Sequence, residues 1–204
     1  MSDTVVRLRA RARLLDIAVP VELESRLAGY FDLLFRWNAK INLTALTEPD
    51  AAIDRLLLEP LAAAMELPRA AELIDLGSGG GSPAIPLALA LASPRLVMVE
   101  SKTRKAAFLS EASRTVQIPT AVENARFEEV AARGNYAGQM SLVTIRAVRV
   151  DRQTLMTAKS FLKPGGQIAL FSPTAGSPPD LPTELRVKRI APLPGASYLV
   201  VLGK

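Results

Sequence analysis

The 204-residue sequence contains no cysteine and no histidine. Their absence excludes thiol redox chemistry, cysteine nucleophiles and Ser-His-Asp triads, and it leaves almost no transition-metal site possible. Long hydrophobic runs are also absent, because the Ala- and Leu-rich stretch at residues 85–92 is too short and too closely flanked by proline to span a bilayer. No apolar segment of a secretory signal follows the basic N-terminal residues. We therefore expect a cytoplasmic protein without a metal or a membrane partner.

Positive charge is in modest excess, and it is unevenly distributed. The formal net charge is +5, with 8 basic and 9 acidic side chains in residues 1–60 against 17 and 11 in residues 61–204. A basic surface suits an anionic partner such as nucleic acid, although many inert cytosolic proteins are equally basic. Arg7, Arg9, Arg11 and Arg13 form either an RNA-binding arm or a frayed terminus, and we favour the frayed terminus.

The hydrophobic pattern predicts two domains. Residues 1–67 have the spacing of helices, and Thr47 with Asp50 is expected to cap the helix that follows them. From residue 70 onward, short apolar runs alternate with amphipathic stretches, which predicts an α/β domain with a parallel sheet between helices. The last two apolar runs, at residues 186–190 and 198–202, predict an antiparallel hairpin at the sheet edge. We expect a helical cap at residues 1–67 and an α/β domain at residues 68–204.

The most informative segment is a glycine-rich loop after the first predicted strand. The strand ends at Asp75, a loop containing Gly77, Gly79 and Gly81 follows, and a helix then begins. Glycines in such a loop let backbone N–H groups approach a ligand closely, beside the positive end of the helix dipole. The next strand ends at Glu100, where an acid can accept both hydroxyls of a ribose. The loop and Glu100 are expected to face one cleft.

The identity of the ligand can be inferred from two features, the acid before the loop and the number of residues that follow Glu100. The loop satisfies a dinucleotide fingerprint, but only about a hundred residues follow Glu100, too few for a second nucleotide-binding half. Asp75 would repel a pyrophosphate, whereas it suits the ammonium group of an amino-acid moiety. A ribose, an adenine and a cationic amino-acid tail together describe S-adenosylmethionine. The alternative is a purely structural loop that binds no ligand.

Several motifs resemble those of the RsmG (GidB) family of small-subunit ribosomal RNA methyltransferases. The most specific matches the family's Trp-Asn-x-x-x-Asn-Leu-Thr pattern and reads Trp37-Asn38-Ala39-Lys40-Ile41-Asn42-Leu43-Thr44. The glycine loop resembles the family's cofactor loop, including prolines at positions 83 and 86. Three shorter segments, Glu100-Ser101, Phe127-Glu128-Glu129 and Arg146-Ala147, also stand where the family has similar residues. The resemblance extends from about residue 31 to residue 170.

The resemblance implies both a fold and a function. The fold is a Rossmann-like class I methyltransferase with a mostly parallel seven-stranded sheet, a C-terminal antiparallel hairpin and an N-terminal helical cap. The function is transfer of a methyl group from S-adenosylmethionine to N7 of a guanine in 16S ribosomal RNA, with the rRNA or the ribosomal subunit as partner and a monomer as the expected state. The residues at the family's cofactor positions are Gly77, Ser82, Phe127, Glu128 and Arg146.

This sequence also departs from the family pattern. The family's Arg-His-x-x-Asp-Ser reads Arg55-Leu56-Leu57-Leu58-Glu59-Pro60 here, and its Leu-Lys-Gly after the fifth strand reads Leu170-Phe171-Ser172. The losses of the His and the Lys fall at positions expected to face RNA. Two further hypotheses therefore stay open: a methyltransferase of the same fold with another substrate, and an RNA-binding relative that has lost activity.

The chemistry at N7 requires little from the protein. Guanine N7 has an in-plane lone pair and loses no proton on methylation, so no general base is expected and no catalytic residue is assigned. Alignment and exclusion of water would carry the reaction. The expected RNA contacts are two groups of basic residues, Lys102, Arg104 and Lys105 after the second strand and Arg146, Arg149 and Arg152 after the fourth.

Overall fold

A computed structural model describes residues 2–93 and 95–204. Four helices precede the first strand, and a π-helical turn, Asp54–Leu58, joins the third of them to the fourth. The remaining helices alternate with the strands of the sheet. The helices are α1 (Asp3–Leu14), α2 (Val21–Asn38), α3 (Pro49–Ile53), α4 (Glu59–Met65), α5 (Ala84–Ala90), α6 (Thr103–Thr115), α7 (Phe127–Arg133) and α8 (Arg152–Phe161).

The seven strands form one sheet in the order β3-β2-β1-β4-β5-β7-β6. Strands β1 to β5 are parallel, whereas β7 pairs antiparallel with both β5 and β6. This arrangement confirms the predicted Rossmann-like fold and its C-terminal hairpin. The strands are β1 (Glu72–Leu76), β2 (Arg95–Val99), β3 (Thr120–Glu123), β4 (Met140–Arg146), β5 (Leu162–Ser172), β6 (Arg186–Leu193) and β7 (Ser197–Gly203).

Each face of the sheet carries its own hydrophobic core, because successive strand residues point to opposite sides. Leu73 of β1 faces the core that contains α1, α2 and α4 to α6. Ile74 and Leu76 face the opposite core, which contains α7 and α8. The helical segment before β1 therefore shares a core with the sheet. The division into domains at residue 67 stays a prediction.

The N-terminal segment differs from the frayed terminus that we expected. Residues 3–14 form helix α1, and Ser2 caps it by accepting a hydrogen bond from the amide of Val5. Arg7, Arg9 and Arg11 contact carboxylates on the neighbouring helical elements, at Asp50, Glu24 and Asp54 respectively. A terminal helix packed through Leu8 and bound by three ion pairs is ordered because it contributes to the core.

One local prediction also needs correction. The helix after residue 47 is capped by Glu48, whose side chain accepts a hydrogen bond from the amide of Ala51, and the predicted pair of Thr47 and Asp50 does not form that cap. In β5 the pairing with β4 is irregular, since Leu162 pairs with Met140 and the next paired residue, Gln167, pairs with Leu142. In the described residues, no helix has the length and apolar character needed to cross a membrane.

Candidate active site

A cavity of about 530 Å³ opens at the carboxyl ends of β1, β2 and β4. Its volume lies within the range of small-molecule sites, and ligands bind at this edge of an open parallel sheet. Seven of the nine predicted site residues line it: Gly77, Gly79, Ser82, Glu100, Phe127, Glu128 and Arg146. The sheet has therefore brought together residues that lie up to 69 positions apart in the chain.

The glycine loop begins tightly against the second strand. The amides of Gly77 and Ser78 both donate to the carbonyl oxygen of Val99 at 2.9 Å. Gly77 has φ of +76°, and a Cβ atom there would lie 2.5 Å from Cγ2 of Val148. Position 77 therefore requires glycine for both its backbone conformation and its close packing. The loop can present its backbone to a ligand only while this contact is preserved.

Glu100 anchors the loop from the end of β2. One carboxylate oxygen accepts a hydrogen bond from the amide of Gly79 at 2.9 Å, and the other accepts from the amide of Lys102 at 2.8 Å. Only 7% of Glu100 is exposed, yet it lines the cavity. Each oxygen retains acceptor capacity after one amide bond. The carboxylate can therefore accept two hydroxyl groups from a ligand while it holds the loop.

Asp75 and Gly81 lie behind the cavity wall. Asp75 is 1% exposed and accepts a hydrogen bond of 2.5 Å from the hydroxyl of Thr144, and burial raises its pKa to about 6. At Gly81 a Cβ atom would lie 2.8 Å from Cδ1 of Ile85 and 3.4 Å from the ring of Tyr30. The structure thus places both residues in the packing that supports the loop, where sequence reasoning had expected them to face the ligand.

Arg146 is held in place by a network that the sequence did not reveal. Its guanidinium lies 3.1 Å from the carboxylate of Glu59, which is fully buried and also pairs with Arg55. It donates to the hydroxyl of Ser82 at 3.1 Å, and that hydroxyl donates to the carbonyl oxygen of Leu56 at 2.8 Å. Burial lowers the pKa of Arg146, and the Glu59 carboxylate opposes that shift. The signal available in the sequence was the Arg55 to Glu59 motif.

Phe171 completes the surroundings of Arg146. The phenyl ring is 7% exposed, and the guanidinium carbon of Arg146 lies 5.5 Å from its centroid. The residue that replaces the family's Lys is therefore buried under Arg146, and it does not face outward toward RNA.

The Trp37 to Thr44 motif builds a wall of the cavity. The side-chain oxygen of Asn38 accepts hydrogen bonds from the amides of Leu43 and Thr44, at 2.8 and 2.9 Å. The indole N–H of Trp37 donates to the carboxylate of Glu111 on α6 at 3.1 Å. These contacts fix the chain after α2 against the glycine loop, so that Leu43 and Thr44 line the cavity.

Tyr30 was also missed by sequence reasoning. Its fully buried hydroxyl donates to the carbonyl oxygen of Gly80 at 2.5 Å, and burial raises its pKa. A tyrosine within an amphipathic helix reads as an ordinary core residue, so the sequence held no signal for this contact.

A second cavity of about 490 Å³ adjoins the first. The two share the wall residues Thr44, Leu56, Arg146 and Ala147. The second cavity continues past Asp54 and Arg55 toward the turn between β6 and β7 at Gly195. Among residues 2–93 and 95–204, no group of three acidic, His or Cys side chains is arranged to hold a metal ion.

Comparison with known proteins identifies the family. The family model GidB, described as rRNA small subunit methyltransferase G, matches residues 23–173. The chain is 31% identical to "Ribosomal RNA small subunit methyltransferase G" of Myxococcus xanthus, over 79% of this chain and 75% of that protein. It is 33% identical to the protein of that name from Stenotrophomonas maltophilia strain K279a, over 88% and 84% of the two chains.

Solved structures bear on the fold. The O-methyltransferase from Bacillus cereus in complex with SAH superposes with a TM-score of 0.64 at 15% identity, over 96% of this chain and 97% of that chain. This likeness confirms the class I methyltransferase fold.

The family match covers most of the chain and includes the Trp37 to Thr44 motif, the glycine loop and Arg146. The chain belongs to the GidB family of small-subunit ribosomal RNA methyltransferases.

Proposed function

We propose that this protein transfers a methyl group from S-adenosylmethionine to N7 of a guanine in small-subunit ribosomal RNA, in the cytoplasm. The observation that carries the proposal is the pair of adjoining cavities with a common wall at Arg146 and Leu56. A methyl transfer requires two ligands whose reacting atoms meet end to end. Two cavities that share one wall, in a chain of this family, meet that requirement.

The larger cavity has the chemical groups that fit S-adenosylmethionine. Glu100 would accept the ribose hydroxyls, and Phe127 with Glu128 would border the adenine. The backbone at Gly77 and Gly79 would lie along the amino-acid part of the cofactor. Asp75 would hold β1 against β4 through Thr144 and would not touch the ligand itself, since it is buried beneath the cavity wall.

The smaller cavity would receive the guanine. When bound, S-adenosylmethionine supplies an electrophilic methyl carbon on a positively charged sulfur. The guanine N7 lone pair forms the new C–N bond as the C–S bond breaks, and the electron pair of that bond stays on sulfur. No proton is transferred, so the protein only has to hold the reacting atoms roughly 3–3.5 Å apart and exclude water. Arg146 and Leu56 occupy the wall where that alignment would be set.

The departure at Leu56 favours one alternative. An apolar side chain replaces the family's His on the wall common to both cavities, so the acceptor is contacted here by a group that makes no hydrogen bond. The second candidate is therefore a methyltransferase with the same cofactor and a different acceptor.

Transfer of labelled methyl to small ribosomal subunits that lack native N7-methylguanosine tests the proposal. The rRNA is digested after the reaction and its nucleosides are separated, and label in N7-methylguanosine is the expected result. A Leu56→His variant, which restores the family residue, should retain that product. Cofactor binding without any labelled nucleoside would overturn the rRNA substrate and favour the second candidate. Absence of cofactor binding by calorimetry would overturn the enzymatic proposal as a whole.

A further inference from the structure

A third surface feature lies on the other side of the Trp37 to Thr44 motif. A groove of about 570 Å³ runs between α2 and α6. We name it the α2–α6 groove, and its lining residues are Leu33, Arg36, Trp37, Lys40, Ile41, Arg104 and Glu111. Apolar groups line the interior, while three of the seven lining residues are cationic.

The cations of the groove are not engaged within the protein. Arg36, Lys40 and Arg104 are exposed, and within residues 2–93 and 95–204 none of them forms an ion pair with a carboxylate. Glu111, the acidic residue of the groove, already accepts a hydrogen bond from the indole of Trp37. The groove thus presents three positive charges to solvent. Such a cluster attracts an anionic partner.

The groove and the cofactor cavity share no lining residue, but the same two segments of the chain contribute to both. Lys102 and Lys105 line the cavity, and Arg104 between them lines the groove. On the facing segment, Lys40 lines the groove and Thr44 lines the cavity. The start of α6 and the chain around the end of α2 therefore take part in both features. Five cationic side chains lie on these two segments: Arg36, Lys40, Lys102, Arg104 and Lys105.

The arginines after β4 make a poorer contact surface for RNA. Arg146 is buried against Glu59, so its charge is used within the protein. Arg149 and Arg152 lie 3.5 and 3.9 Å from the carboxylates of Asp151 and Glu184. The structure therefore separates the two groups of basic residues that appeared equivalent in the sequence. In the group after β4, Arg146 is buried and the other two arginines have only weak surface pairs. The group at the start of α6 has no ion pair in the described part of the chain.

We propose that the α2–α6 groove binds the phosphate backbone of the substrate rRNA through Arg36, Lys40 and Arg104. This inference rests on the proposed rRNA substrate. Phosphate contacts of this kind fix the position of an RNA without reading its sequence, and their strength falls steeply with salt. The groove would hold the strand while the target base enters the smaller cavity.

A triple variant, Arg36→Gln, Lys40→Gln and Arg104→Gln, tests the groove. Binding to small subunits is measured by filter retention between about 50 and 300 mM monovalent salt. Roughly 0.7 counterions are released for each phosphate that the protein contacts, and this number sets how steeply log affinity falls with log salt. Loss of three contacts should therefore make that fall less steep by about 2. At about 0.1 M salt this corresponds to roughly a hundred-fold weaker binding. KM for subunits should rise similarly, while kcat and cofactor affinity stay unchanged.

A matched control variant loses three positive charges at positions outside the groove. Arg13, Arg69 and Arg186 are exposed and have no ion pair in the described part of the chain, and a triple change to Gln there should leave the slope unchanged. Arg36→Lys with Arg104→Lys keeps the charges and should also retain the slope, since the slope depends on the number of phosphates that Lys or Arg neutralises.

The outcomes separate the groove from the proposed function. Equal salt slopes for the groove variant and the control variant would overturn the groove as the phosphate site. Failure of the wild-type protein to bind small subunits would overturn it as well. Binding by wild type with the expected slope change, but without methyl transfer, would support the groove and count against the proposed reaction.

Discussion

Glu59 is the buried carboxylate on which the wall between the two cavities depends. It is fully buried, and it pairs with Arg55 and with Arg146. About a third of the Arg55 side-chain surface is exposed to solvent, so water can hydrate its guanidinium if its partner is lost. Only 9% of the Arg146 side-chain surface is exposed. Glu59→Gln preserves the shape of the side chain and removes its charge. The change leaves Arg146 as a buried cation without a counter-ion.

The expected cost follows from that burial. Removing one partner of a buried ion pair destabilises a protein by about 3–5 kcal/mol, because the remaining charge stays desolvated. Arg146 retains hydrogen bonds to Ser82 and to the carbonyl oxygen of Arg55, which places our expectation near the lower value. With a urea m-value of about 2 kcal/mol/M, the midpoint of unfolding should fall by roughly 1.5 M.

Equilibrium urea unfolding followed by tryptophan fluorescence measures this change, since Trp37 packs against Phe108 in the core. Glu66→Gln is the matched control. Glu66 pairs with Arg189 at 2.8 Å, but Arg189 is exposed and Glu66 keeps 31% of its side-chain surface, and a pair in contact with solvent contributes no more than about 1 kcal/mol. Adding Arg146→Met to Glu59→Gln removes the buried charge itself and should recover part of the lost stability.

Two results would refute this reasoning. One is a loss from Glu59→Gln as small as that from Glu66→Gln. The other concerns the double variant of Glu59→Gln with Arg146→Met. If Arg146→Met destabilises the Glu59→Gln protein as much as it destabilises the wild type, the two effects are independent and Arg146 does not depend on Glu59.

Three further changes test the supports of the cavity. Gly77→Ala places a Cβ atom 2.5 Å from Val148 and should weaken S-adenosylmethionine binding at least about ten-fold, as measured by calorimetry. Gly134→Ala is the control, because Gly134 also has a positive φ but has open space around it. That change should cost only about 1–2 kcal/mol of stability and leave the affinity for S-adenosylmethionine unchanged. Burial raises the pKa of Asp75 from 3.8 to about 6, so the folded protein binds the proton more tightly. Its free energy of unfolding should therefore fall by about 2.5 kcal/mol between about pH 4 and pH 7, and Asp75→Asn should abolish that part of the slope in urea titrations. Asn38→Ala removes the acceptor of two backbone amides, so it should lower the free energy of unfolding by about 1–3 kcal/mol and reduce cofactor affinity. Asn38→Asp keeps the acceptor and should match the wild type in both stability and cofactor affinity.

The sequence determined the fold and most of the cavity lining. Alternating apolar runs fix the parallel strands, and the loop at Gly77 and Gly79 with Glu100 follows from their spacing, because strand ends in a parallel sheet meet at one edge. The family motifs added Ser82, Phe127, Glu128 and Arg146, all of which line the cavity. Local patterns sufficed wherever the chemistry was carried by consecutive residues.

Only the tertiary structure decided what each charged group does. Asp75 and Glu100 both lie at the carboxyl end of a strand, yet the first is enclosed beneath the loop and the second faces the cavity. Arg146 and Arg104 are equally basic in the sequence, but Arg146 meets Glu59 across 87 positions of chain while Arg104 meets solvent. Burial and pairing arise from contacts between segments remote in sequence, and these contacts set whether a charge supports the fold or is available to a ligand.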